Sequence, residues 1–263
     1  MSLPRRLLAE ALGTGLLVTV VVGSGIAAAN LSPDDVGLQL LENAAATGLG
    51  LAVLILVFGP VSGAHFNPVV SAVDWWLGRP SRSGLRPAEL GGYVAAQFVG
   101  GLAGTALADA MFAEPLFSWS TTRRSGWNLL LAEVVATAGL VLLIFALTRT
   151  RRAAYVPAAV GAYIGAAYWF TSSTSFANPA VTVARSVTDT FAGIAPASVP
   201  GFIGAQLLGG LVAVGLLAAL FPRPPAPADQ TAAEALVPHP DPPTVMSTQD
   251  GRDRRSEGVD HGR

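Results

Sequence analysis

One ordered set of residues occurs twice in this chain, and that repetition constrains the fold more than any other feature. The first half reads Ala9-Glu10, then Gly63-Ala64-His65-Phe66-Asn67-Pro68-Val69-Val70-Ser71, then Ala96-Gln97-Phe98-Val99-Gly100-Gly101. The second reads Ala132-Glu133, then Ser175-Phe176-Ala177-Asn178-Pro179-Ala180-Val181-Thr182, then Ala205-Gln206-Leu207-Leu208-Gly209-Gly210. Glu, Asn-Pro and Gln-x-x-Gly-Gly recur in the same order. The repeats cover roughly residues 7–112 and 127–221. Each holds three long apolar segments: Leu7–Ala29, Leu38–Phe58 and Leu90–Met111, then Trp127–Leu147, Ala153–Phe170 and Val199–Phe221. Crossing a bilayer takes about 20 mostly apolar residues as a helix. Three is an odd number, so the two halves must sit in opposite orientations. Two further apolar stretches, Asn67–Leu77 and Asn178–Thr188, are too short to cross and each starts with Asn-Pro. The expected fold is an all-α membrane protein: six transmembrane helices plus two re-entrant half-helices in an inverted repeat.

Composition agrees. Of 263 residues, 51% are hydrophobic and 13% charged, where a soluble domain carries about a quarter charged; the mean hydropathy is +0.51. The net charge of −1 gives nucleic-acid binding no electrostatic support. The absence of cysteine removes disulfides, thiolate catalysis and thiolate metal sites. Two of the three histidines, His239 and His261, lie in the tail, so no metal cluster is expected. No cofactor motif and no nucleophile–base pair is present, which argues against an enzyme. Met1–Arg6 resembles a short basic leader, but the apolar run behind it is as long as a span, so it reads as a retained first helix.

Arginines set the expected orientation, because basic loops stay in the cytoplasm. Arg5 and Arg6, then Arg79, Arg82 and Arg86, then Arg149, Arg151 and Arg152, then Arg223 all fall on one side of a six-span topology. Both termini are therefore expected in the cytoplasm. Arg123, Arg124 and Arg185 fall outside that pattern. Residues 1–222 read as one channel-type domain. Residues 223–263, rich in Pro, Ala, Asp and Arg, read as a disordered cytoplasmic tail.

The two Asn-Pro steps carry the functional argument. Proline suits the first helical position, where its missing N–H costs nothing, and asparagine before it is a good N-cap. The loops ahead of them, residues 59–66 and 171–177, have backbone groups that lipid could not satisfy. They can line a wet path. Two such loops entering from opposite sides bring two helix N-termini together at mid-membrane, each with about half a positive charge. That pair would repel cations and hydronium, while the Asn67 and Asn178 amides point into the path as donors for water or polyol hydroxyls.

On Ser62-Gly63-Ala64-His65-Phe66-Asn67-Pro68-Val69 and Asn178-Pro179-Ala180-Val181, over roughly residues 7–221, the chain resembles the major intrinsic protein family, the aquaporins and aquaglyceroporins. The first motif departs slightly, with Val69 where the family has alanine. The resemblance implies a homotetramer with one pore per subunit. It also implies that Glu10 and Glu133 brace the re-entrant loops by hydrogen bonds. Counted from the two asparagines, the family's outer constriction falls on Thr47, Ala166, Ser175 and Val181. The aromatic, histidine and arginine of water-selective members are all missing there. Four small side chains imply a wide filter without a fixed cation. The filter resembles that of bacterial arsenic-associated aquaglyceroporins. This implies a passive channel in a bacterial inner membrane for small uncharged solutes: glycerol, urea, metalloid hydroxides such as arsenous acid, and water. No cofactor is implied.

Alternatives remain: a water-selective aquaporin, or an ion-coupled secondary transporter, for which Glu10 and Glu133 are the only intramembrane carboxylates at hand. His65 reads as structural or pore-lining. Arg185, two turns beyond Asn178, reads either as a helix-end arginine at the interface or as a vestibule cation replacing the missing filter arginine; Asp74 is its counterpart in the first half. Gln97 and Gln206 read as packing between helices. Gly100/Gly104 and Gly161/Gly165 read as close helix contacts.

Overall fold

A computed structural model of the protein describes residues 1–81 and 83–222. The chain divides into two units, Met1–Arg223 and Pro224–Arg263, and only the first is treated below. Arg82, Arg223 and the tail reading of residues 223–263 lie outside the described residues.

The described residues form eight α-helices and no strand: α1 (Leu3–Leu31), α2 (Val36–Ser62), α3 (Pro68–Gly78), α4 (Pro87–Met111), α5 (Trp127–Arg149), α6 (Val156–Phe170), α7 (Pro179–Ala184) and α8 (Val199–Leu220). Six of them, α1, α3, α4, α6, α7 and α8, carry proline in their first two positions, where a missing N–H is harmless. Elsewhere the apolar segments run on as helix because only intrahelical hydrogen bonds satisfy the backbone in lipid. Five helices are long and apolar enough to cross a membrane: α1, α2, α4, α5 and α8 with its leading turn. The sixth expected span is divided. Pro157 cannot donate to the residue four before it, so Ala153–Tyr155 form a 3-10 turn and α6 proper has 15 residues.

The repeat is visible in the packing. Helices α1, α2 and α4 pack together, as do α5, α6 and α8, and α2 meets α6 where the halves join. Small residues make the closest crossings. A Cβ on Gly100 would lie 2.0 Å from the Ala11 carbonyl oxygen, and one on Gly104 would lie 2.1 Å from that of Gly15, so α1 and α4 touch backbone to backbone. A Cβ on Gly161 would lie 2.4 Å from the Gly48 carbonyl oxygen, whereas one on Gly165 would lie 3.8 Å from that of Ala44, an ordinary contact. Apolar side chains such as Leu49, Val53 and Leu211 face outward, the disposition expected where the surroundings are lipid.

The segment 112–126 folds back over the end of the bundle beyond α7. Ser120 N–H donates to the Ser186 carbonyl at 3.0 Å, and Ala195 N–H to the Thr122 carbonyl at 2.7 Å. This fastening brings Arg124 near the α7 loop, with consequences described below.

Candidate functional site

The half-helices α3 and α7 begin at asparagines that cap them. Asn67 Oδ1 accepts from Val69 N–H at 2.9 Å. Asn178 Oδ1 accepts from Ala180 N–H at 3.0 Å and Val181 N–H at 3.3 Å. The other end of each amide reaches across the repeat. Asn67 Nδ2 donates to the Ala177 carbonyl and Asn178 Nδ2 to the Phe66 carbonyl, both at 2.7 Å. The two helix tips are therefore held together by reciprocal bonds. Each amide nitrogen carries two hydrogens, so one is engaged in this lock rather than both being free for solute, as the sequence had suggested.

The loops leading into the tips adopt a strained path. Ala64 and Phe66 in the first, and Ser175 and Ala177 in the second, have φ between 49° and 53°. Left-handed backbone at non-glycine residues costs about 1–3 kcal/mol each and persists only where its surroundings enforce it. Buried carboxylates supply the enforcement. Glu10 accepts from Ser62 Oγ (2.6 Å), His65 N–H (3.0 Å), Phe66 N–H (2.8 Å) and Gln97 Nε2 (2.7 Å). Glu133 accepts from Ser173 Oγ (2.6 Å), Phe176 N–H (2.9 Å), Ala177 N–H (2.8 Å) and Gln206 Nε2 (2.7 Å). Gln97 and Gln206 then donate to Ser71 Oγ and Thr182 Oγ1, on α3 and α7. Each Glu–Gln pair thus ties a strained loop and the half-helix after it to the long helices.

One cavity of about 640 Å³ runs past both tips. Asn67 and Asn178 line it, with His65 and Asp74 on the α3 side and Thr47, Ser175, Val181 and Arg185 on the α7 side. His65 Nδ1 is 3.1 Å from Ser71 Oγ, and its ring packs against Tyr93. Asp74 Oδ2 accepts from Leu85 N–H at 2.8 Å, which fixes the turn after α3. Pro68, Val69, Pro179 and Ala180 are buried behind the caps.

The expected four-residue constriction needs one correction. Ala166 is exposed on the outside of α6 and takes no part in the cavity wall. The inward face of α6 runs Val156, Val160, Ile164, Tyr168, one residue per turn. Tyr168 is buried, and its hydroxyl is 3.2 Å from Thr47 Oγ1. An aromatic residue therefore stands beside Thr47, and the end of the cavity is not lined by small side chains alone. Counting back from Asn178 misses it by two positions. The four-residue periodicity of α6 was the signal that could have found it.

Arg185 is the second departure. It is 3% exposed, its guanidinium carbon lies 3.6 Å from the centroid of Phe176, and its Nε donates to the Ala192 carbonyl. It lines the cavity, which favours the vestibule alternative over an arginine at the lipid interface. Arg124 reaches the same ring, 5.1 Å from its centroid, and donates through Nε to the Gly193 carbonyl at 3.0 Å. Burial pushes the Arg124 guanidinium below its usual value.

Paired, capped half-helices inside an inverted repeat of long apolar helices define a class: a multi-pass helical membrane protein with a solute-sized cavity past the two helix tips. The comparisons with known proteins identify the family within that class. The family model described as major intrinsic protein matches residues 1–177. The chain is 53% identical over 216 residues to Aquaglyceroporin AqpS of Rhizobium meliloti (strain 1021), covering 82% of this chain and 90% of that protein. It is 31% identical over 199 residues to Aquaporin NIP2-2 of Zea mays, covering 70% and 62%. Among solved structures, the aquaglyceroporin from Plasmodium falciparum matches with a TM-score of 0.62 at 21% identity, covering 83% of this chain and 97% of that one, which supports the fold. The chain belongs to the major intrinsic protein family, and is a membrane channel for small solutes rather than an enzyme.

Proposed function

We propose that solute passes between Asn67 and Asn178, and that the channel conducts small uncharged polar molecules: glycerol, urea, metalloid hydroxides such as arsenous acid, and water. The observation that carries this reading is the pair of asparagine caps lining one cavity while locked to each other's loops. Each cap keeps one amide hydrogen beyond the lock, a donor for a passing hydroxyl. The helix tips behind them present partial positive charge to the path, which disfavours cations. The similarity to a protein named an aquaglyceroporin supports polyols over water alone.

The filter in this reading is Thr47, Tyr168, Ser175 and Val181, with Arg185 one turn further out. Tyr168 narrows that end relative to four small residues, and this favours a second reading, a path that prefers water. Shrinkage of proteoliposomes under glycerol, urea, arsenite and impermeant osmolyte distinguishes them. Glycerol flux well above that of empty vesicles, linear in gradient and indifferent to ion gradients, supports the solute channel. Water flux without glycerol flux supports the second reading.

The oligomer implied by the family is a homotetramer, and Glu10 and Glu133 serve as braces rather than proton carriers. The end of the bundle bearing Arg5, Arg6, Arg79, Arg86, Arg149, Arg151 and Arg152 faces the cytoplasm of a bacterial inner membrane. Residues 1–222 act as the channel.

A further inference from the structure

Arg185 is a buried cation without a carboxylate. Among the described residues the ion pairs are Arg6–Glu89 and Arg86–Glu89, so neither Arg185 nor Arg124 has an acidic partner within 4.0 Å. Glu133, on the neighbouring helix α5, already accepts four hydrogen bonds in the loop network. Of the contacts described for the Arg185 side chain, one is a hydrogen bond, through Nε to the Ala192 carbonyl, and one is the stack on Phe176. No bond engages its two terminal nitrogens, and the residue lines the cavity. Arginine is always protonated in proteins, and a buried charge left unpaired is expensive. An anion in the cavity would give those nitrogens a partner.

A second observation points to the same place. Ser175, adjacent to Phe176 in the chain, is 4% exposed, lines the same cavity, and its Oγ has no hydrogen-bond partner. A buried hydroxyl without a partner is uncommon. It offers a donor in the same cavity as a guanidinium fork whose planar N–H groups suit two oxygens of one group. Arg124, on the same aromatic ring, adds a second positive charge near the site.

We propose that Arg185 and Ser175, supported by Arg124, form a binding site for one small monoanion of the carboxylate or sulfonate type at the α7 end of the channel. The site holds the anion on the fork and the free hydroxyl, at the mouth through which neutral solutes pass. Its repeat counterpart at the other end is Asp74, of opposite sign, so anions bind at one end only. This proposal rests on the channel reading for its effect on flux but not for binding.

The test uses methanesulfonate, which stays anionic and does not cross lipid as a neutral acid. In the purified full chain in detergent, about 100 mM sodium methanesulfonate raises the unfolding temperature by about 2 °C or more over sodium chloride at equal ionic strength. Arg185→Gln abolishes the difference, Arg185→Lys keeps part of it, and Arg124→Gln lessens it. In proteoliposomes the same salt slows glycerol shrinkage of the wild type by about twofold or more, and that of Arg185→Gln less. An unchanged unfolding temperature in the wild type overturns the site, as does an equal rise in Arg185→Gln or, if that variant does not fold, in Arg185→Lys. A temperature rise in a protein that passes no glycerol overturns the channel reading and leaves the site standing.

Discussion

At the scale of single residues, Glu10 and Glu133 hold the greatest leverage over the site without lining it. Each carboxylate accepts from two backbone N–H groups of a loop that contains left-handed alanine, serine or phenylalanine. Glutamine in their place turns one oxygen into a donor facing other donors. Hydrogen bonds to a charged group contribute about 1.5–3 kcal/mol each, so Glu133→Gln is expected to destabilise by roughly 2–4 kcal/mol. It should lower the unfolding temperature in detergent together with glycerol flux. Loss of flux with no change in unfolding temperature would instead speak for proton transfer or direct solute contact. Tyr168 acts on the path itself. Tyr168→Ala is expected to raise the ratio of glycerol to water permeability by about threefold or more, because diameter at a constriction governs solute choice. Tyr168→Phe removes only the contact with Thr47 Oγ1 and should shift that ratio little. Ala166→Trp, on the outer face, should leave the ratio alone, and a change there would reinstate Ala166 as a wall residue.

Among the elements, the crossing of α1 and α4 is the tightest test of packing. A methyl group on Gly100 meets the Ala11 carbonyl at 2.0 Å, so Gly100→Ala must push two backbones apart. Overpacking of this kind costs about 1–3 kcal/mol, measurable as a fall in unfolding temperature. Gly204→Ala is the control, since a Cβ there meets nothing within 4 Å. The same crossing shows what a sequence can disclose. Gly100, Gly104, Glu10 and Gln97 stand out as small or polar residues in apolar segments, where each needs a reason to be present, and Glu10, Gln97 and Gly100 recur in order as Glu133, Gln206 and Gly209. The half-helices were legible for the same reason: Asn-Pro opens a helix too short to cross. The inward face of α6 was not legible by counting from Asn178. A fixed count assumes a fixed loop length between α6 and Asn178, and the inward-facing residue, Tyr168, stands ten positions before Asn178 rather than twelve. The split of Ala153–Phe170 into a turn and a short helix could have been read from Pro157. The meeting of Arg124 with Phe176 could not, because it depends on residues 112–126 folding back across the bundle end.

For the whole molecule, an inverted repeat gives two similar brackets aimed at one point, and differences between the halves then decide selectivity. The brackets match bond for bond: Glu10 with Glu133, Gln97 with Gln206, Ser62 with Ser173, Ser71 with Thr182. Around them the ends diverge, with Asp74 and His65 on one side of the tips and Arg185 and Tyr168 on the other. The repeat thus gives a shared scaffold with unlike mouths.

In the proposed path solute travels beside α7, between the two asparagine tips, and the chain's lack of cysteine makes this directly measurable. Val181 lines the cavity three residues after Asn178, whereas Ala166 faces outward. Glycerol shrinkage of proteoliposomes carrying Val181→Cys, recorded before and after mercuric chloride, should fall to about a tenth or less as the metal fills the constriction, while Ala166→Cys is unaffected. Undiminished flux through Val181→Cys, with intact mass confirming that the thiol had reacted, would place the path elsewhere and contradict the account.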